Sequence, residues 1–172
     1  MSEKNFVGYE YTNVTVKRSV ANLYEDSYEN FGYELESKSD IVGKIDSVLM
    51  RFKRDRKIRN KSELTRLQRN FDSCVNEVIE LEKSKYIMAS IVAYIIGIIG
   101  TAFMAGSVFF VTADMVVPCI ILAVPAFIGW VLPYFLYKNI VKKKTAELTP
   151  LIDEKYDEIY DICEKAHSLR EV

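Results

Sequence analysis

The spacing of apolar residues changes along this chain, from alternation to helical stripes to unbroken runs. YEYTNVTVK (9–17) mixes aromatic and β-branched residues with polar ones, the pattern of a half-buried strand. SVANLYEDSYENFG (19–32) shifts to helical spacing, with Val20, Leu23, Tyr24 and Tyr28 on one face. Ser19 is placed to cap that helix and Gly32 to stop it. YELESKS (33–39) resumes strand character, and DSVLMRFKRD (46–55) alternates Val48, Met50 and Phe52 against polar neighbours. The order predicts a small β-α-β-β head over residues 1–60, with one helix packed on one face of a three-stranded sheet.

Over residues 61–86 the rhythm becomes that of a coiled-coil seam: Leu64, Leu67, Phe71, Cys74, Val78 and Leu81 recur at spacings of three and four. Ser62 is placed to cap this helix, and Glu63 lies near the positive end of its dipole. No Pro or Gly separates it from the apolar run that follows, so the helix is expected to continue straight into that run. Residues 138–172 hold a second seam, Ile152, Tyr156, Ile159, Cys163 and Ala166, with Thr149–Pro150 ahead of it as an expected kink or restart. Antiparallel pairing of the two stripes predicts a helical stalk.

Between them, residues 87–111 and 116–137 carry no charged side chain at all. About 20 apolar residues at 1.5 Å each cross a bilayer core, so each run is long enough to span one. The four residues 112–115 leave room only for a tight extracytoplasmic turn. A buried helix pair in a soluble protein is the alternative, but so short a chain has too little polar mass to cover two such runs. The expected fold class is thus a membrane α-helical hairpin of two spans, continuing into an antiparallel cytoplasmic stalk with an N-terminal α+β head. Lys83 and Lys85 precede the first span and Lys138, Lys142, Lys143 and Lys144 follow the second, which places both termini in the cytoplasm by the distribution of basic residues. The segment MSEKNFVGYEY lacks the apolar core of a secretory signal, so the first span is the expected insertion signal.

YENFGYELE, RFKRDRKIRNKSELTRLQ and LTPLIDEKYDEIYDICEKA resemble stretches of an uncharacterised family of small bacterial membrane proteins with two spans and a cytoplasmic α+β head. The resemblance covers nearly the whole chain. It implies a bacterial inner-membrane setting and carries no catalytic signature.

Candidate chemistry is sparse. The single histidine, His167, lies near a helix C-terminus without a neighbouring cysteine, where a positive charge is favourable in its own right. There is no phosphate-binding loop, dinucleotide fingerprint, nucleophile elbow or zinc-protease motif. Cys74, Cys119 and Cys163 are widely spaced and read as small core residues. Asp153, Asp157, Asp161 and Glu164 form an acidic stripe, but a straight helix does not converge oxygens on a cation. No enzyme activity, cofactor, metal or small-molecule ligand is expected.

Two features suggest interaction instead. Arg51, Lys53, Arg54, Arg56, Lys57, Arg59 and Lys61 form a basic run with one Asp among them. If residues 61–86 are one helix, this run lies ~38 Å from the membrane end of the stalk, several Debye lengths away. Nucleic acid is not expected, since a broad basic face with accompanying aromatics is lacking. Charge complementarity with the acidic stripe, within or between protomers, is the favoured use, beside a plain solvated surface. The second feature is a ridge of small residues at every fourth position, Ala89, Ala93, Gly97, Thr101 and Ala105, which allows close helix approach in lipid. Ala123, Ala126, Gly129 and Pro133 match it in the second span. Packing within the hairpin is its expected role, and self-association the sharper one. Pro118, Pro125 and Pro133 are expected to bend the second span, and neither span holds an acid, base or histidine.

The expected function is a non-enzymatic membrane scaffold or adaptor whose partners are the lipid bilayer and a protein partner or its own copies. The alternative is a small homo-oligomeric channel or transport accessory subunit, with Ser90, Tyr94, Thr101 and Ser107 lining a pore. A sensor in which the head reports to the membrane is a third, weaker option.

Overall fold

The structure is a computed structural model and describes residues 7–112 and 116–171. The chain divides into two compact units, Met1–Asn76 with Tyr156–Val172, and Glu77–Lys155. Its elements run β1 (Tyr9–Lys17), a 3-10 turn (Arg18–Val20), α1 (Ala21–Asn30), β2 (Tyr33–Ile41), β3 (Lys44–Asp55), α2 (Lys61–Thr112) and α3 (Val116–Glu171). The small sheet is followed by two long helices packed against each other as a hairpin.

In the first unit the sheet order is β1-β3-β2, with β3 antiparallel to both neighbours. The alternation seen in the sequence is the reason: Val48, Met50 and Phe52 are buried on one face of β3, while Arg51 is exposed on the other. Over that inner face lies α1, whose Tyr28 ring stacks 4.5 Å from Phe52 and 5.4 Å from Tyr33. Gly32 stops α1 as expected. At φ +83 it takes the left-handed conformation in which its N–H donates to the Glu29 carbonyl, and a Cβ there would meet Ile58 Cδ1 at 2.2 Å.

Both capping serines are corrected. Ser19 lies inside the 3-10 turn, and α1 starts from Val20 with no side-chain cap. At α2 the Asn60 carbonyl accepts from the N–H groups of Glu63 and Leu64, so the helix begins at Lys61 and Ser62 falls within its first turn. Pro150 does not restart α3, which runs unbroken through Pro125, Pro133 and Pro150. Thr149 Oγ1 donates to the Thr145 carbonyl at 2.7 Å beside the position where proline supplies no N–H.

The stripe of α2 is buried at Leu64, Leu67, Phe71, Cys74 and Val78, and Val75 joins it. Its first half is the core of the α+β unit itself: Phe71 packs edge-on to Tyr24 at 5.2 Å and lies 5.7 Å from Phe31. From α3, Ile159, Ile162, Cys163 and Ala166 are buried in the same unit. There Asn60 Nδ2 donates to the Leu169 carbonyl and Arg170 to the Glu29 carbonyl.

The second unit is a pair of helices long and apolar enough to cross a membrane, and 11% of each apolar window is buried. The expected turn at 112–115 and the side chains of Pro118 and Cys119 lie outside what the structure describes.

Candidate functional site

Small residues set how closely the spans approach. A Cβ built on Gly129 would stand 2.7 Å from Gly100 Cα, and one on Gly100 would stand 3.0 Å from the Gly129 carbonyl carbon. Backbone therefore meets backbone at this pair, the close approach that small residues at a helix contact allow. Ala89 and Ala126 are fully buried on the same side. The predicted ridge is split by this contact: Ala89 is buried and Ala93 half-buried, whereas Thr101 and Ala105 are exposed. Gly97 has nothing within 4 Å of its Cβ position. Packing within the hairpin thus accounts for the first part of the ridge and not for Gly97, Thr101 and Ala105. Sequence reasoning missed Gly100, which an i, i+3, i+4 count started from Ala89 or Ala93 would have reached.

Outside the helix contact is a shallow groove of about 380 Å³ floored by Gly97 and Thr101 and walled by Tyr94, Ile98, Trp130 and Pro133. Thr101 Oγ1 donates to the Gly97 carbonyl at 2.9 Å, so its hydroxyl is already satisfied within the helix. The four polar residues considered for a pore do not share one surface: Ser107 is 4% exposed, while Tyr94 is 74% exposed. Lys85, Lys138, Lys142 and Lys143 flank the apolar stretches of this unit, while Lys83 pairs with Glu80 and Lys144 with Glu147. Lys155 joins Glu77 across the two helices at 2.9 Å.

The basic run does not form one patch. Strand alternation sends Arg54 inward, where it is 3% exposed. It contacts Glu10 at 2.6 Å, donates to the Phe31 carbonyl and to Thr65 Oγ1, and lies 4.3 Å over the Tyr33 ring. Lys61 joins Glu10 as well. Burial alone would raise the Glu10 carboxyl, but the hydrogen bonds from Lys61 and Arg54 outweigh it and hold the group below its ordinary value. Arg51 and Lys53 stay on the outer face, paired with Glu36 at 2.8 Å and Glu34 at 3.2 Å. Arg51 covers the Tyr11 ring and Lys53 the Tyr9 ring. Aromatics do accompany the cations, but each ring already holds a cation over its face, and each cation a carboxylate. Arg56, Lys57 and Arg59 are exposed in the connection to α2.

Sequence reasoning also missed a polar cluster inside the first unit. Tyr28 donates to Asp72 at 3.1 Å, and Gln68 Nε2 donates to the Tyr28 hydroxyl at 3.3 Å. Burial raises the Asp72 carboxyl, opposed by hydrogen bonds from Tyr28 and Tyr24. Burial likewise pushes both tyrosine hydroxyls far above their usual range, with the Asp72 charge adding to it. The helical spacing of Gln68 and Asp72, at the border of the apolar stripe, is the signal that could have found them. Cys74 and Cys163 are buried in the same core and form no disulfide, and burial pushes the Cys163 thiol up against a hydrogen bond with Ser27. Among the described residues no group of three or more His, Cys, Asp or Glu could hold a metal ion, and His167 is exposed in the last turn of α3.

No protein family matches the chain, and neither a curated protein nor a solved structure is similar to it.

Proposed function

We propose that this chain is a two-pass integral protein of the cytoplasmic membrane, with both termini in the cytoplasm, that acts as a non-enzymatic adaptor. The observation that carries this reading is the outward face of the hairpin. Ile91, Ile95, Ile98, Phe103 and Phe109 on α2, and Ile121, Phe127, Trp130 and Phe135 on α3, are all exposed. Water would not tolerate so large a contiguous apolar surface, and lipid matches it. The lysines at the span ends support the orientation. What remains to meet other proteins is the aromatic-cored α+β unit, with its ion-paired outer sheet face.

A second reading, a small homo-oligomeric channel or transport accessory, draws support from the exposed Thr101 and Ala105 and from the half-buried Gly97, whose Cβ position no neighbour contacts. Two helices cannot enclose a pore alone, so subunit number separates the readings. Native mass spectrometry of the full chain, extracted directly into nanodiscs, is expected to show one or two copies, alone or with a second protein. A closed ring of four or more would overturn the adaptor reading in favour of the channel.

A further inference from the structure

The two edges of the three-stranded sheet are built differently. β2 carries Glu34, Glu36, Lys38 and Asp40 in alternation, and its pairing with β3 is interrupted between Leu35 and Ser37 and again between Asp40 and Ile41. Alternating charge and bulges are the standard means by which a sheet edge repels another strand. β1 has neither. Its pairing with β3 runs without irregularity from Tyr9 to Lys17, it contains no proline, and residues 11–16 (YTNVTV) are uncharged and rich in strand formers. Its one interior-facing charge, Glu10, is engaged by Arg54 and Lys61.

The register identifies which main-chain groups β1 leaves open. The Arg56 N–H donates to the Gly8 carbonyl at 3.0 Å. Gly8 and Arg56 therefore form a hydrogen-bonded pair at the end of the ladder, and in an antiparallel ladder such pairs alternate with non-bonded ones. Glu10, Thr12, Val14 and Val16 turn their N–H and C=O groups to β3. Tyr9, Tyr11, Asn13, Thr15 and Lys17 turn theirs to the open edge, and among the described residues no strand pairs with it. Beside that edge the inner-face side chains of Thr12 and Val14 are only half-buried, so an added strand would find apolar surface to cover as well as hydrogen bonds to make.

We infer that β1 is an acceptor edge for an extended polypeptide segment of a partner protein, which adds antiparallel to it as a fourth strand. The segment is uncharged through its middle. It places β-branched or aromatic side chains beside Tyr11 and Thr15 on the outer face, and small apolar ones beside Thr12 and Val14 on the inner face. This assignment rests on the adaptor reading and names the surface and the kind of partner that reading requires.

The test uses the full chain in nanodiscs and a capped synthetic peptide of residues 9–17 as the added strand. Paired antiparallel about Asn13, the peptide sets its Tyr11 opposite Thr15 and its Thr12 opposite Val14. Without peptide, residue-resolved hydrogen exchange is expected to alternate, fast at Tyr11, Asn13 and Thr15 and slow at Thr12, Val14 and Val16. Saturating peptide is expected to slow the three fast amides by about tenfold. A peptide N-methylated at its own Tyr11, Asn13 and Thr15 has the same side chains and is expected to leave them fast. In the protein, Asn13→Pro removes only an outward N–H, which an edge strand tolerates, and is expected to abolish the slowing. Unchanged exchange with the parent peptide, or equal slowing by the N-methylated one, would overturn the proposal. So would slow exchange at the three amides before peptide is added, since a second copy or another segment of this chain would then fill the edge. The peptide reports on this edge alone, whereas the adaptor reading stands or falls on the native mass.

Discussion

Arg54 occupies a place where the alternation of β3 calls for an apolar side chain. An arginine is tolerated there because every demand of its guanidinium is met locally, by Glu10, the Phe31 carbonyl, Thr65 and the face of Tyr33. Removing one partner of such a pair costs more than the pair contributes. Arg54→Met is therefore expected to destabilise the protein by about 3 kcal/mol in thermal melts, whereas Arg51→Met, which breaks an exposed pair, should cost less than about 1 kcal/mol. Asp72 shows the opposite balance. Its carboxyl titrates above the ordinary value because burial disfavours the charge, so the folded chain binds that proton more tightly than the unfolded one. Its contribution is largest at acid pH and is lost as pH rises through the folded value. Asp72→Asn keeps an oxygen to accept from Tyr28. Its stability relative to the parent is expected to improve as pH rises above about 4, and a constant difference across that range would contradict the assignment. Neither residue was legible in its role. Charge pattern alone groups Arg54 with its exposed neighbours, although continuing the alternation of Val48, Met50 and Phe52 by two residues places it on the inner face.

At the scale of elements, the sequence was most informative where one physical signal dominates. Strand β1 was readable to its ends from β-branched and aromatic content, and the termination of α1 from one glycine. The apolar stripe of α2 was legible too, but not what covers it: Phe71 meets α1, a contact between residues far apart in the chain that periodicity does not report. Cap positions failed because Ser19 and Ser62 each lie near a helix start, and the backbone of the preceding turn chose another residue. In the spans, a period of four from Ala89 drifts off the contact face, since a helix repeats every 3.6 residues. The contact line instead passes through Gly100. Two substitutions separate these surfaces. Gly129→Ala forces backbone apart and is expected to cost about 1–3 kcal/mol. Gly97→Ala meets nothing and is expected to be neutral or stabilising by about 0.5–1 kcal/mol. Thermal unfolding of the two variants in nanodiscs checks the assignment, and equal losses would contradict it.

The whole molecule divides into an α+β unit closed by both ends of its helical hairpin and an apolar pair of helices with little of its surface covered. Residues 159–166 complete the core of the first unit although they lie a hundred positions from its sheet in sequence, so the unit cannot be read as residues 1–60 alone. The two helices of the second unit could be recognised from composition, because each uncharged run is long and apolar enough to cross a membrane. The central claim is that these helices cross a membrane twice, with both chain ends on one side. The most direct measurement is maleimide labelling of single cysteines in a chain whose native cysteines are replaced, at Lys57, Asp114 and Arg170 in turn, using intact cells and a reagent that does not cross membranes. The account predicts labelling of Asp114→Cys from outside, and of Lys57→Cys and Arg170→Cys only after permeabilisation. Labelling of Lys57→Cys or Arg170→Cys from outside, or recovery of the chain in the soluble fraction, would contradict it.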